Sequence, residues 1–145
     1  MKLYSGIDLH SNNGVYIVID EMGKKLFHRR LPNDLSTVLV HLEPFRESLE
    51  TVAVESTFNW YWLVDGLNEN GFPVKLANPA AIDQYEGLKA ADDNSDARHL
   101  AELSRLGILP TGYIYPKEQR SLRDMLWRRM LLVNNRTTQI LSVQN

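Results

Sequence analysis

Polar and apolar positions alternate through the first thirty residues, and the alternation comes in three runs. KLYSGIDL, GVYIVIDE and KKLFHRRL carry strand-forming Val, Ile, Leu and aromatic residues, the pattern of strands that turn one face to a core. The connections between them suit antiparallel neighbours, so the chain is predicted to open with a three-stranded meander over residues 4–8, 15–20 and 26–31.

The period then lengthens. In DLSTVLVHLEPFRESL, Val38, Leu42, Phe45 and Leu49 fall at helical spacing, with Pro44 placed to kink or shorten the helix. TVAVEST is a short apolar run of the buried-strand kind and predicts a fourth strand over residues 52–55. NWYWLVDGLNENG sets Trp60, Leu63, Val64 and Leu67 on one helical face, and Asn70-Gly71 supplies the stop. PVKLANP predicts a fifth strand over residues 74–77, bounded by prolines. AAIDQYEGL suggests a short helix. Ala97, Leu100, Ala101 and Leu103 then mark the apolar face of another, closed by Gly107 and Pro110. After an extended GYIYP link, residues 117–145 form one long helical pattern without Gly or Pro. Leu122, Met125, Leu126, Val133 and Ile140 make one stripe there, with Trp127, Met130 and Leu131 off it. A helix apolar on more than one face expects burial on more than one side.

The predicted order is β-β-β-α-β-α-β-α-α. A three-stranded meander followed by alternating helix and parallel strand is the ribonuclease H-like arrangement, an α/β fold with a mixed five-stranded sheet flanked by helices. Residues 1–115 would form that domain and residues 116–145 the start of a long helix. The same core carries sugar kinases and actin-like ATPases, so the fold leaves function open.

Composition narrows the field. At 145 residues, 43% apolar and 23% charged, the chain suits one globular domain with a real core. There is no cysteine, which excludes disulfide frameworks and thiolate metal sites and is compatible with a reducing cytoplasm. No apolar run approaches the roughly 20 residues of a membrane span. MKLYSGIDLH enters a strand at once, with no signal-peptide core. The net charge of −2 is uneven: six basic and two acidic residues from Lys117 onward give +4, leaving −6 on residues 1–116. This asymmetry differs from a uniformly basic nucleic-acid binder.

The candidate chemistry lies in the carboxylates. In a sheet of this order the first and fourth strands are neighbours. Asp8 ends the first in GIDLH and Glu55 ends the fourth in VAVEST, each where a buried run gives way to a cleft. Carboxylates in such places are rarely without partners, although Asp8 can also cap the turn into HSNNG. Farther on, ADDNSDARHLAEL crowds Asp92, Asp93 and Asp96 at the start of a helix. Acids there complement the helix dipole, and Asp93 or Asn94 can serve as N-cap. Asp93 and Asp96 are also three apart, hence on one face, and Asp92 and Asp96 do nearly as well. With that face toward the two strand ends, four carboxylates converge. Alone they repel one another. Two Mg²⁺ or Mn²⁺ ions would offset the repulsion and could serve a phosphoryl displacement. No His or Cys cluster with zinc spacing competes.

GIDLH, VAVEST and DNSDARHLAEL together resemble the three acidic motifs of the DEDD insertion-sequence transposases. These are RuvC-like recombinases whose relatives include Piv-type pilin DNA invertases, and some members are guided by a bridge RNA. LANP matches the segment that usually precedes the third motif, and LRDMLWRRMLLVNNRTTQI resembles the helix that follows it. The resemblance spans nearly the whole chain, and D-x-x-D-A with a downstream LAEL is its most specific element. It implies that Asp8, Glu55, Asp93 and Asp96 bind divalent metal, the two ions above, for DNA strand cleavage and transfer in a bacterial or archaeal cytoplasm. DNA, and for some members a guide RNA, would be the partners.

Three departures matter. Family members commonly have Lys-Thr or a similar pair before the third acid, where this chain has Ala91-Asp92. Asp92 therefore competes with Asp93 for that role. His10 stands where the family often has a small polar or basic group, and as a loop residue it is expected to be solvated. Family proteins also continue into a domain with a nucleophilic serine, whereas this sequence stops at ILSVQN, and Ser142 has no recognisable motif around it. The chain is thus expected to be the N-terminal domain of a longer recombinase and inactive alone. Arg120, Arg123, Arg128, Arg129 and Arg136 on the last helix could contact phosphates or be solvated rim charges, and the helix could join two subunits.

Two other classes stay open. An ATPase or sugar-kinase-like domain would need Gly-rich phosphate loops, and DLHSNNG offers one glycine. A non-catalytic dimerisation or nucleic-acid-binding module would use the last helix and leave the acids as caps.

Overall fold

A computed structural model of the chain describes residues 1–56, 59–88 and 96–144. The meander is formed by β1 (Leu3–Leu9), β2 (Asn13–Asp20) and β3 (Lys25–Pro32). The β2–β3 turn is held by Asp20, whose Oδ1 accepts the Met22 and Lys24 amides at 2.9 Å. Gly23 supplies the positive φ of 77° that the turn requires. β4 (Leu49–Glu55) and β5 (Val74–Ala77) complete a five-stranded sheet of order β3-β2-β1-β4-β5. β1–β2 and β2–β3 are antiparallel, and β1–β4 and β4–β5 are parallel. This is the mixed sheet that the sequence pattern predicts.

The helix expected to run to Leu49 is shorter. α1 spans Leu35–Leu42 and starts at an Asp34 cap whose carboxylate accepts the Thr37 amide at 2.8 Å. The Thr37 and Ser36 hydroxyls also donate to it, and together these bonds hold its carboxyl below the ordinary aspartate range. Pro44 has no amide to continue the α pattern, so residues Glu43–Ser48 tighten into a 3₁₀ helix and Leu49 begins β4 instead. Phe45 leaves the helical stripe and packs against Phe27 of β3, ring centroids 5.7 Å apart.

α2 (Tyr61–Glu69) buries Leu63, Val64 and Leu67 as its spacing predicts, and Gly71 at φ 77° ends it. α3 (Pro79–Ile82) runs into a 3₁₀ helix, Asp83–Leu88. α4 spans Asp96–Arg105 and buries Ala97, Leu100, Ala101 and Leu103. The link after α4 is more ordered than the expected extended segment. Thr111 bridges to Ala77, and the Gly112 amide donates to the Leu76 carbonyl at 2.8 Å.

α1 and α2 cover one face of the sheet, and α4 covers the other. Ile17, Ile19, Ala97 and Ala101 form one fully buried cluster on the α4 face, and Ala53, Ala77 and Leu100 another. Gly6 sets how closely α4 approaches. A Cβ there would overlap the Ala97 carbonyl oxygen and lie 2.8 Å from the Ala101 nitrogen. Small residues on both sides bring the backbones together, and any side chain at position 6 would push α4 off β1.

By contact the chain divides into two compact units, Met1–Gly112 and Tyr113–Asn145. The second consists of a short lead and α5 (Lys117–Gln144), a helix of 28 residues, about 42 Å long at the usual rise. Among the described residues no helix is long and apolar enough to cross a membrane.

Candidate functional site

β1 and β4 pair in parallel through Gly6↔Ala53 and Ile7↔Val54, where their ladder ends, and Asp8 and Glu55 are the next residue of each strand. Neighbouring strands lie about 4.8 Å apart, so the two acids leave adjacent positions. They also share a face. Side chains two apart on a strand point the same way; Gly6 meets Ala97, and Ala53 packs with Leu100. Asp8 and Glu55 therefore stand on the α4 face, one step beyond the row that α4 covers.

α4 runs back along β1. Its last turn lies at the β2–β3 turn, where Arg105 Nη1 donates to the Glu21 carbonyl at 3.2 Å and Glu102 lies against Gly23; the long Arg98 side chain reaches from the first turn to the Gly23 carbonyl at 2.8 Å. Its first residue, Asp96, consequently lies at the opposite end, where β1 and β4 finish. The helix body packs over Gly6, and the Asp8 side chain one step beyond is only 14% exposed. A cleft of about 210 Å³ opens there, with Glu55, Asp83, Asp96 and His99 around it and Pro79, Ile82 and Leu100 as its apolar wall.

The structure thus places Asp8 beside Glu55 and sets Glu55 and Asp96 around one cleft. Asp8 is not among the residues that line that cleft. Asp93, like Asp92 and the proposed Asn94 cap, lies outside the described residues. Among the described residues no three His, Asp or Glu side chains converge closely enough to hold an ion. As a donor set, Asp8, Glu55 and Asp96 are all carboxylate oxygens, which suits hard cations such as Mg²⁺ or Mn²⁺.

Three contributors are not evident from the sequence patterns. His10 is expected as a solvated loop residue, but its Nε2 lies 3.2 Å from Asp8 Oδ2 while the ring stays half exposed. The HSNNG turn closes through a His10 amide bond to the Asn13 carbonyl at 2.8 Å. His99 is buried to 7% exposure on the cleft side of α4; its spacing of three from Asp96 is the one signal for it. Asp83 enters the cleft from the 3₁₀ segment after α3, which no helical or strand period foretells.

The five arginines of α5 lie in the other unit. Arg120 Nε donates to the Tyr115 carbonyl at 2.9 Å. Arg123 pairs with Asp124 at 2.9 Å and stacks over the Tyr115 ring. Arg128, Arg129 and Arg136 are exposed. Leu126, Trp127 and Met130 beside them are each at least half exposed.

The profile of the DEDD-type IS110 transposases, described as "Transposase", matches residues 5–145. The chain belongs to this transposase family. The structure is also similar to that of T. thermophilus RuvC in complex with a Holliday junction substrate. The TM-score is 0.57 at 21% identity, covering 77% of this chain and 100% of that one. At that identity the likeness speaks for the fold, which is ribonuclease H-like. No curated protein matches the chain significantly. For the transposase the strand-end carboxylates are the feature to explain, since its fold alone is shared with proteins of other activities.

Proposed function

We propose that this chain is the carboxylate-bearing domain of a DNA transposase, with Asp8, Glu55 and Asp96 holding divalent metal and Asp93 joining them as the family resemblance implies. The observation that carries the reading is the placement of Asp8 and Glu55 in adjacent register, on the face and at the end where α4 begins with Asp96. Bound Mg²⁺ or Mn²⁺ would supply charge neutralisation for the attacking and leaving oxygens of a phosphodiester. The residues' own tasks are to present oxygen ligands at a rigid sheet end and to admit a DNA strand to an open cleft. His10 is placed to orient the Asp8 carboxylate. The Holliday junction bound in the similar RuvC structure fits the same class of partner, and a guide RNA is compatible with the family resemblance.

In this reading the chain cleaves DNA poorly by itself, because residues 1–116 carry a net charge of −6 that repels DNA phosphates. α5 supplies self-association, and its arginines contact phosphates.

Titration calorimetry with Mg²⁺ and Mn²⁺ tests the metal site. Wild type should bind, and Asp8→Ala and Glu55→Gln should lose most of the heat while their melting curves stay close to wild type. Equal binding by all three removes these residues from the site. A second reading is a binding module whose acids serve as caps and surface charges. That reading expects no metal heat in any variant.

A further inference from the structure

We propose that Arg30, with Lys25 and His28 behind it, forms a phosphate-binding track that seats a DNA backbone beside Asp8 and Glu55. The inference rests on the transposase reading above and extends it to the substrate strand.

β3 is an edge strand in the sheet, and the run from Lys24 to Arg30 holds four Lys or Arg residues, one His and no acid. Lysines often guard exposed edges against pairing with other chains. The registers show a more particular arrangement. Arg30 pairs with Val15, and Val15 pairs with Asp8. His28 pairs with Ile17, and Ile17 with Gly6; Lys25 pairs with Ile19, and Ile19 with Tyr4. Residues directly opposite one another share a face. Val15, Ile17 and Ile19 belong to the cluster that packs on α4. Arg30, His28 and Lys25 therefore stand on the face that carries the carboxylates, and Arg30 lies in the same cross-strand row as Asp8. Two strand spacings, about 10 Å, separate them.

These side chains are open to solvent beside α4, which packs on β1, β2 and β4. Among the described residues neither Lys25 nor His28 is ion-paired, and the Arg30 guanidinium reaches one group, the Asn13 side-chain oxygen at 3.5 Å. Positive charge has thus been gathered on a unit that is otherwise acidic and left unneutralised on the working face. A polyanion crossing the sheet toward Asp8 and Glu55 would meet it first. Arginine presents a fork suited to phosphate oxygens. The occupant is the backbone of duplex DNA, the substrate class of the family to which the chain belongs.

Arg29 provides an internal control. It pairs with Tyr16, whose register puts it on the opposite face. It carries the same charge one residue away and should not touch the track.

The test is fluorescence anisotropy of a labelled DNA duplex with the whole chain, in EDTA, from 50 to 200 mM salt, so that metal binding plays no part. Arg30→Ala should weaken binding about threefold or more and lower the salt slope by about 0.9, the loss of one phosphate contact. Arg30→Lys should restore the slope. Arg29→Ala should bind as wild type does, and melting curves should show all three variants folded. Equal weakening by Arg29→Ala and Arg30→Ala, or none by Arg30→Ala, overturns the track while leaving the carboxylate reading to its own calorimetric test. The same titration with an RNA duplex and with polyglutamate separates the alternatives. A loss on Arg30→Ala confined to RNA overturns DNA as the occupant, and competition by polyglutamate no weaker on Arg30→Ala supports a phosphate-specific contact.

Discussion

α4 and α5 are both rich in apolar residues, but α4 buries Ala97, His99, Leu100, Ala101 and Leu103 within ten residues, whereas none of the 28 residues of α5 is buried. The difference follows from size and placement more than from hydrophobicity. α4 turns Ala97 and Ala101 toward Gly6, so two backbones close on each other and the large residues fall into flanking positions on β2 and β4. α5 spreads Leu126, Trp127, Met130 and Val133 around its surface among arginines. One helix is shaped to a single partner surface within its own unit. The other carries material for a partner it does not meet there. This matters for the site, because the close seat of Ala97 on Gly6 is what fixes Asp96 at the ends of β1 and β4.

The sharpest way to break that contrast is to enlarge Gly6. Gly6→Val places methyl groups where the Ala97 carbonyl lies, and should cost about 3 kcal/mol or more, since overpacking of a tight contact forces the backbone to move. Met130→Ala on α5, a comparable change in volume, should stay within about 0.5 kcal/mol of wild type. Urea unfolding of both variants gives the comparison directly. A Gly6→Val protein as stable as wild type would show that α4 is not seated by this contact, and the placement of Asp96 would need another cause.

Much of this was legible in advance. The five strands and their order follow from period-two runs and short connections, and α4 from Ala97, Leu100, Ala101 and Leu103. Local periodicity reports which face of an element meets a core, and that suffices for Asp8 and Glu55, because a strand's last residue on a covered face has few places to be. The early end of α1 was half legible: Pro44 marked the break, but only the sheet's need for another strand pair shows that Leu49 joins β4. His10, Asp83 and His99 were not legible as neighbours of the carboxylates. Their positions depend on how a turn, a 3₁₀ segment and a helix face meet in space, and no single period encodes that. The Arg30 row was hidden for a related reason, since it appears only when two strand registers are read across the sheet.

A smaller effect concerns α5 alone. If its apolar faces are covered by a second copy of the chain, Leu126→Glu should weaken self-association at least about tenfold, because burying one Leu contributes roughly 1.5–3 kcal/mol. Sedimentation velocity should then show wild type as a dimer at tens of micromolar and the variant as a monomer, with unchanged urea unfolding of the sheet unit. A wild-type monomer far above micromolar concentration ends the dimer idea and leaves α5 to some other partner.

The smallest expected difference lies in the ion pairs of the two helices. On α4, Glu102 accepts Arg98 at 3.0 Å and Arg105 at 2.7 Å, and both arginines also donate to carbonyls of the β2–β3 turn. Glu102 thus holds two clamps in position, and the side chains involved are only 20–26% exposed. On α5, Arg123 and Asp124 are adjacent in sequence, and Asp124 is half exposed. Adjacent positions on a helix do not face one another, and exposed pairs of this kind contribute little. Glu102→Gln should therefore cost about 1 kcal/mol at low salt, shrinking toward 1 M salt as screening grows, while Asp124→Asn should be indistinguishable from wild type at either salt. Chemical denaturation with urea, which is uncharged, keeps the ionic strength under control. Equal, salt-independent costs for the two variants would mean that the α4 cluster acts through packing of its long side chains rather than through charge, and the contrast between the helices would then rest on Gly6 alone.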